Sequence, residues 1–466
     1  MSFFRDLEKH SLQTAIITSS SDHVSYQDLL ERADTIGSKI KKRCLLFLVC
    51  SNRIESLAGY IGCMRADSAL ALIHHSIHPS FFKTLLDRYK PEYIYLPKEN
   101  LELASHCTSI DTFGTYILLK TSYDADYKLH EDLSLLLTTS GSTGSPKFVR
   151  LSHKNIQKNA EAIAHSLQIT DSSRPITTMP MNYSYGLSII NSHLLQGASL
   201  ILSEATLMDK LFWESIQNNQ ATTFGGVPYI YEILKKLRFK TMNLPSLQYI
   251  TQAGGKLNRE LSDEFAEICI QKSLKFYIMY GQTEATARMS YLPWEYSREK
   301  LGSIGIAIPG GRFRLENEKG HVIEDSDMPG ELVYEGDNVA LGYSESCHDL
   351  WKGDENKGTL YTGDIAKRDS DDFYYIIGRK KRFLKIYGNR INLDEVEQLI
   401  QEAGYDCACS GSDDNLKIYV TKTSDKSLIK NYVSEHTGIH QAALSVVDIH
   451  QIPRNEAGKV LYSELN

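Results

Sequence analysis

Seven consecutive residues, Thr139 to Ser145, are all Gly, Ser or Thr, and they stand between the apolar run Leu133–Leu137 and Lys147. Glycine lets backbone N–H groups turn toward a single anion, and hydroxyls add donors of their own. Lys147 follows as a point charge suited to phosphate. The stretch therefore has the composition of a phosphate cradle. It lacks the G-x-x-x-x-G-K-[ST] spacing, because Pro146, Lys147 and Phe148 occupy the places that spacing requires. A flexible Ser/Gly linker is the other reading of such a run. Strand patterns on both sides disfavour it.

A second stretch, Phe276-Tyr-Ile-Met-Tyr-Gly-Gln-Thr-Glu284, reads as a buried strand delivering Tyr280, Gly281, Gln282, Thr283 and Glu284 to the carboxyl edge of a sheet. An aromatic there can stack on a base, a threonine can bond a phosphate, and a carboxylate can hold Mg²⁺ through a hard oxygen. Third is Tyr361-Thr-Gly-Asp364, whose aspartate can accept both hydroxyls of a ribose or simply form a turn. Fourth is Pro453-Arg-Asn-Glu-Ala-Gly-Lys-Val460, where Lys459 is by itself an ordinary solvated lysine near a chain end.

The elements that must carry these residues alternate. Tyr26 to Gly37 reads as an amphipathic helix capped by Ser25, Leu45–Cys50 as a strand covered on both faces, Ile54–Met64 as a helix and Ala69–Ile73 as the next strand. Ser152 caps a helix through Leu167, and a further helix is expected over Leu187–Leu195. Thr222–Gly226, Leu247–Gln252 and Lys275–Met279 repeat the strand pattern. This β–α–β rhythm predicts a largely parallel sheet with crossover helices. Between Gly302 and Tyr343 recurrent Gly and Pro point to short antiparallel strands. Past Gly378 a small α+β unit follows, with a strand at Leu384–Tyr387, a helix at Leu393–Ala403 capped by Asn392, a strand at Lys417–Thr421 and a helix at Ser427–His436.

The fold class expected is α/β. A large domain, residues 1–378, combines mixed, mostly parallel sheets and flanking helices with a small β-barrel-like part. A small, mobile α+β domain, residues 379–466, completes the chain. Its 466 residues exceed one ordinary core, and 42% hydrophobic with 23% charged residues is the balance of a soluble globular protein. The net charge of −7 is dispersed, and the run Arg379-Lys-Lys-Arg382 is too short to suggest nucleic acid. Eight scattered cysteines read as reduced thiols. No apolar run suffices to span a bilayer, and the N-terminus lacks the apolar centre of a signal peptide. A cytoplasmic location is expected.

Thr139–Lys147 resembles the T-S-G-[ST]-T-G-x-P-K signature of adenylate-forming enzymes: acyl-CoA synthetases, peptide-synthetase adenylation domains and luciferases. Tyr280–Glu284 resembles their Y-G-x-T-E motif, and Asp364 with Arg379 falls at their ribose-binding spacing. Pro453–Lys459 resembles their closing P-R-N-x-x-G-K. The resemblance implies an ATP- and Mg²⁺-dependent ligase that forms acyl-AMP and pyrophosphate, then passes the acyl group to the thiol of coenzyme A or of carrier-protein phosphopantetheine. It implies that Thr139, Ser140, Gly141, Ser142, Thr143 and Lys147 hold the outer phosphates. Tyr280 and Gly281, with Gly254 and Gly255, would border adenine. Asp364 and Arg379 would hold ribose, Thr283 the α-phosphate and Glu284 Mg²⁺. Lys459 would be the catalytic cation at the reacting carboxylate, and Lys381 the hinge.

The family's acid pocket corresponds here to Tyr183, Ser184, Tyr185, Gly225 and Gly226. Amino-acid-activating relatives carry an aspartate where this chain has Ser184. A buried α-ammonium would then be unpaired, which argues against an amino acid. The partners expected are a small carboxylic acid and, as one of two acceptors, an acyl carrier protein. The alternative is a member that transfers to a non-thiol acceptor, or one that binds nucleotide without turnover.

Overall fold

Ser25 caps the helix Tyr26–Gly37 in the computed structural model, its hydroxyl accepting from the Asp28 amide while the Asp28 carboxylate accepts from the Ser25 amide. Such a reciprocal cap satisfies donors that the first helical turn cannot bond internally. Ser152 and Asn155 repeat the device ahead of His153–Leu167, and Asn392 caps Leu393–Glu402. The structure describes residues 3–123, 127–138, 147–380, 382–387, 389–421, 426–454 and 460–465. Thr139, Ser140, Gly141, Ser142, Thr143, Lys381 and Lys459 lie outside the described residues.

The chain divides into two compact units. The first runs to Arg312 and resumes over Glu335–Leu360; the second comprises Phe313–Tyr334 and the chain from Tyr361 onward. An eight-stranded sheet organises the first unit, in the order Gly342–Ser344, Phe148–Ser152, Leu133–Thr138, Ala69–His74, Leu45–Cys50, Tyr93–Pro97, Tyr116–Lys120, Thr108–Phe113. Its four middle strands, from Leu133–Thr138 to Tyr93–Pro97, are parallel, and those toward both edges antiparallel. Leu45–Cys50 is buried throughout. Leu46 and Leu48 join a core with Leu29, Ala33 and Leu57, while Phe47 and Val49 join another with Phe82 and Leu85. Alternation across the pleat sends one strand's side chains into both layers.

A five-stranded sheet carries the site. Thr223–Gly226, Tyr249–Gln252 and Lys275–Tyr280 are parallel, with Gly226 opposite Gln252 and Gln252 opposite Ile278. Ser290–Leu292 and Ile306–Ala307 extend it antiparallel. A small three-stranded sheet joins Leu200–Ile201, Thr14–Ile17 and His23–Ser25.

The second unit is built on a four-stranded sheet in the order Gly311–Glu316, Gly330–Gly336, Thr359–Arg368, Tyr374–Arg379. After it come the ribbon Phe383–Ile386 with Asn389–Asn392, the helix Leu393–Glu402, and the strands Cys407–Ser412, Asn415–Thr421 and Leu444–Ile449 with the helix Lys426–Thr437. Cys407 and Cys409 are buried in its core with Ile418 and Ile400, two places where a close cysteine pair serves as small hydrophobes. No helix among the described residues is long and apolar enough to cross a membrane.

Candidate functional site

Because Thr223–Gly226, Tyr249–Gln252 and Lys275–Tyr280 are parallel and in register, their carboxyl ends deliver Gly225-Gly226, Gln252–Gly255 and Tyr280–Glu284 to one sheet edge. Ligands of α/β sheets bind at such edges. The Gln252 side chain donates to the Gly255 carbonyl at 2.8 Å and fixes the turn there. Gly254 has φ +83°, and a Cβ on it would come within 2.6 Å of Tyr183 Oη. Only glycine suits that position.

The helix expected to begin at Leu187 begins at Ser184. No side chain caps it, so its start has no local sequence signal. Tertiary packing sets it instead: a Cβ on Gly186 would meet the Pro180 carbonyl at 2.5 Å. The early start turns consecutive residues to different neighbours. Ser184 Oγ lies 3.1 Å from Thr283 Oγ1. Tyr185 Oη donates to the Thr251 carbonyl at 2.9 Å and lies 2.8 Å from Thr251 Oγ1. A Cβ on Gly225 would approach Tyr185 Oη to 2.7 Å. Tyr183, Ser184, Tyr185 and Gly225 are thus brought together. Gly226 is not: its Cα faces Ile230 and Tyr231 of the following helix.

Gly281 is tightly enclosed, since a Cβ there would meet the Ala287 carbonyl at 1.8 Å. Tyr280 accepts from the Gln282 amide at 3.3 Å. Glu284 Oε1 accepts from the Tyr343 hydroxyl at 2.6 Å, and Lys147 Nζ stands 3.9 Å from the centre of the Tyr343 ring. One tyrosine therefore joins the lysine after the glycine-serine run to the glutamate of the second motif. Burial first, then the charge of Glu284, pushes the Tyr343 hydroxyl well above its ordinary value, so it donates rather than ionises. A single carboxylate is the protein share that Mg²⁺ usually takes when substrate phosphates and water supply the rest, so Glu284 suits that ion. Among the described residues no cluster of three His, Cys, Asp or Glu competes for it.

In the second unit Asp364 and Arg379 face each other across the ladder of Thr359–Arg368 and Tyr374–Arg379, with Arg379 Nε 3.3 Å from Asp364 Oδ1. The two residues expected to hold a ribose are neighbours. Pro453 accepts from the Leu461 amide at 2.8 Å, and Arg454 bridges Val460, which pairs the first residues of the motif that contains Lys459 with the residues just after it.

Two side chains carry no sequence signal. Tyr343 belongs to no motif. Arg288 follows the second motif in the apolar-looking Ala-Thr-Ala-Arg-Met, and a lone arginine is ordinarily solvated; here it is 1% exposed. Its guanidinium lies 4.7 Å from the centre of the Tyr185 ring. Nearby, His193 Nδ1 donates to the Ile189 carbonyl at 2.8 Å and its Nε2 lies 3.3 Å from Tyr249 Oη. Burial brings the His193 value down to about 4, so the ring is neutral at physiological pH.

A parallel sheet edge that presents a tyrosine, paired hydroxyls and a carboxylate held by Tyr343 has the arrangement of a nucleotide-binding α/β protein. Residues 3–344 match the AMP-binding enzyme family, and the chain belongs to it. It is 26% identical over 356 residues to the 2-succinylbenzoate–CoA ligase of Geobacillus sp., covering 73% of this chain and 70% of that one. It is also 26% identical to the oxalate–CoA ligase of Arabidopsis thaliana, over 81% of this chain and 77% of that one. Its fold is that of the O-succinylbenzoate coenzyme A synthetase of Bacillus subtilis in complex with AMP, at TM-score 0.81, 20% identity and coverage of 100% and 98%. That synthetase is also solved in complex with ATP and magnesium ion.

Proposed function

We propose that the chain is an AMP-forming acid–CoA ligase. A carboxylate oxygen attacks the α-phosphorus of ATP, the bond to the β-phosphate breaks, and acyl-AMP and pyrophosphate form. The thiol of coenzyme A then displaces AMP. The observation that supports this most is the meeting of Ser184 with Thr283 and of Lys147 with Glu284 through Tyr343. Gly225, assigned to the acid pocket, and Thr283, assigned to the α-phosphate, also lie at or just past the ends of strands of one sheet.

Thr283 bonds the α-phosphate, Tyr280 covers adenine, and Gly254, Gly255 and Gly281 let it approach the backbone. Thr139, Ser140, Gly141, Ser142, Thr143 and Lys147 hold the leaving pyrophosphate. Asp364 and Arg379 serve the ribose. Glu284 holds Mg²⁺, which neutralises charge on the phosphates when bound. Lys459 supplies the cation for the reacting carboxylate and α-phosphate, where negative charge develops and a cation lowers the barrier. Residues 379–466 act as a lid hinged at Lys381.

Pyrophosphate release across an acid panel tests this reading, with 2-succinylbenzoate and oxalate included because relatives carry those names. Turnover with coenzyme A is expected. A parallel reaction with a phosphopantetheine-bearing carrier protein identifies the acceptor. Lys459→Ala should slow adenylation by about two orders of magnitude or more yet spare thioester formation from supplied acyl-AMP. Equal loss in both half-reactions would remove Lys459 from its role.

A further inference from the structure

Arg288 is wholly buried beside the residues of the acid pocket, and its side chain is built for a ligand that the protein does not supply. Nη1 touches Met279 Sδ, while Nε and Nη2 have no hydrogen-bond partner among the described residues. These two nitrogens are not a random pair. Nε–H and Nη2–H point side by side along one edge of the planar guanidinium, the edge that grips a carboxylate bidentately. A fold that wanted this arginine only for packing would leave two aligned donors desolvated, at a cost of several kcal/mol.

Among the described residues no carboxylate faces Arg288. Tyr185 presents its ring, and its hydroxyl is committed to Thr251. Tyr249 is engaged with His193, which is neutral. The backbone before and after Arg288 is fixed: its carbonyl accepts from Asn159 and Asn338, and Met289 donates to the Tyr280 carbonyl. The side chain is thereby held against the strand that ends in Tyr280.

Ser184 faces Thr283, whereas Tyr185, next along the helix, lies under Arg288. The two ends of the acid pocket thus differ. The reacting carboxylate belongs at the Thr283 end, because a bidentate clamp would tie up the oxygen that must attack phosphorus. We propose that Arg288 binds a second carboxylate of the acid, which makes dicarboxylic acids the substrate class. The inference rests on the ligase reading above and specifies its acid.

The test is ATP–pyrophosphate exchange by the full-length protein with succinate, glutarate, adipate and the benzenedicarboxylates, each against its monoamide. Wild type should prefer at least one diacid to its monoamide by roughly 100-fold or more in kcat/KM, the scale on which a site built for a polar group rejects an analogue lacking it. Arg288→Met should shrink that ratio to within about tenfold, and Arg288→Lys, which keeps charge but loses the fork, should fall between. A role confined to folding would lower both substrates alike and leave the ratio intact, and circular dichroism of each variant checks that it folds. An unchanged ratio in both variants, or a wild-type preference for monoamides, would overturn the assignment while exchange itself persisted. Exchange with no acid at all would overturn the ligase reading instead.

Discussion

Arg288 in the first unit and Arg382 in the second are both withdrawn from water, and both lie on a tyrosine ring. Their partners differ. Arg382 Nε is 2.5 Å from Asp394 Oδ1, its Nη2 is 2.6 Å from Glu397 Oε1, and its Nη1 donates to the Cys409 carbonyl at 3.3 Å. Its guanidinium is 3.7 Å from the Tyr462 ring centre. Arg150, fully buried in the first unit, is equally well supplied, by Glu355 and by the carbonyls of Tyr343 and Gly353. In Arg382 and Arg150 every guanidinium nitrogen has an acceptor. Arg288 keeps two in reserve. The same residue type, withdrawn from water in both places, thus does two jobs, told apart by its acceptors.

The sharpest way to break this comparison is to delete each cation and measure stability. Arg382→Met leaves Glu397 buried, still accepting from the Cys409 amide and Tyr462 hydroxyl but without its counter-charge. Removing one partner of such a pair costs about 3–5 kcal/mol. The second unit should unfold first in urea, seen by circular dichroism as a separate early transition. A loss under about 1 kcal/mol would mean that Arg382 is no better satisfied than Arg288.

Acid dependence separates the two regions next. Burial, followed by the charge of Arg288, lowers His193 in the folded protein to about 4, while the unfolded chain titrates near the ordinary 6.5. The unfolded state therefore takes up the proton first. Stability is complete above about pH 6.5 and drains away as the pH falls toward 4, by up to roughly 3 kcal/mol. His193→Gln should flatten that part of the profile in urea unfolding followed by fluorescence of the first unit's tryptophans. Persistence of the full slope would place the acid sensitivity elsewhere.

Arg288→Met should move stability the other way. An unpaired buried cation replaced by an apolar side chain of similar length is expected to gain about 1–3 kcal/mol, even as selectivity for a second carboxylate is lost. Stability and function would then trade against each other at one residue. A destabilised Arg288→Met protein would show instead that its donors are satisfied and that it belongs with Arg382.

That contrast also marks what was legible in the sequence. Strand ends and caps were, because Ser25, Ser152 and Asn392 act within a few residues of themselves. So were Thr283 and Glu284, since the strand before them fixes the edge at which they emerge. The start of the helix at Ser184 was not, because packing against Pro180 rather than a cap sets it. The link between Lys147 and Glu284 was not, because Tyr343 comes from a strand about sixty residues beyond Glu284 and farther still from Lys147. Arg288 was illegible for a related reason. Its meaning lies in what surrounds it, and nothing in Ala-Thr-Ala-Arg-Met says that the arginine is buried.

The smallest expected effects lie in the rings beneath the two arginines. Tyr462 donates to Glu397 Oε2 at 2.9 Å, a bond to a buried carboxyl that Arg382 also holds. Tyr462→Phe keeps the ring under Arg382 and loses only that bond, which should cost about 1.5–3 kcal/mol. Tyr185 bonds the neutral carbonyl of Thr251, so Tyr185→Phe should cost only about 0.5–1.5 kcal/mol. The functional consequences should run opposite to the energetic ones. Tyr185 is in contact with Gly225 and lies beside Arg288, so its loss should raise KM for the acid several-fold and leave KM for ATP unchanged. Tyr462→Phe should leave the acid KM where it was. If instead Tyr462→Phe altered acid selectivity and Tyr185→Phe altered only stability, the division of labour between the paired and the unpaired arginine would have to be reversed.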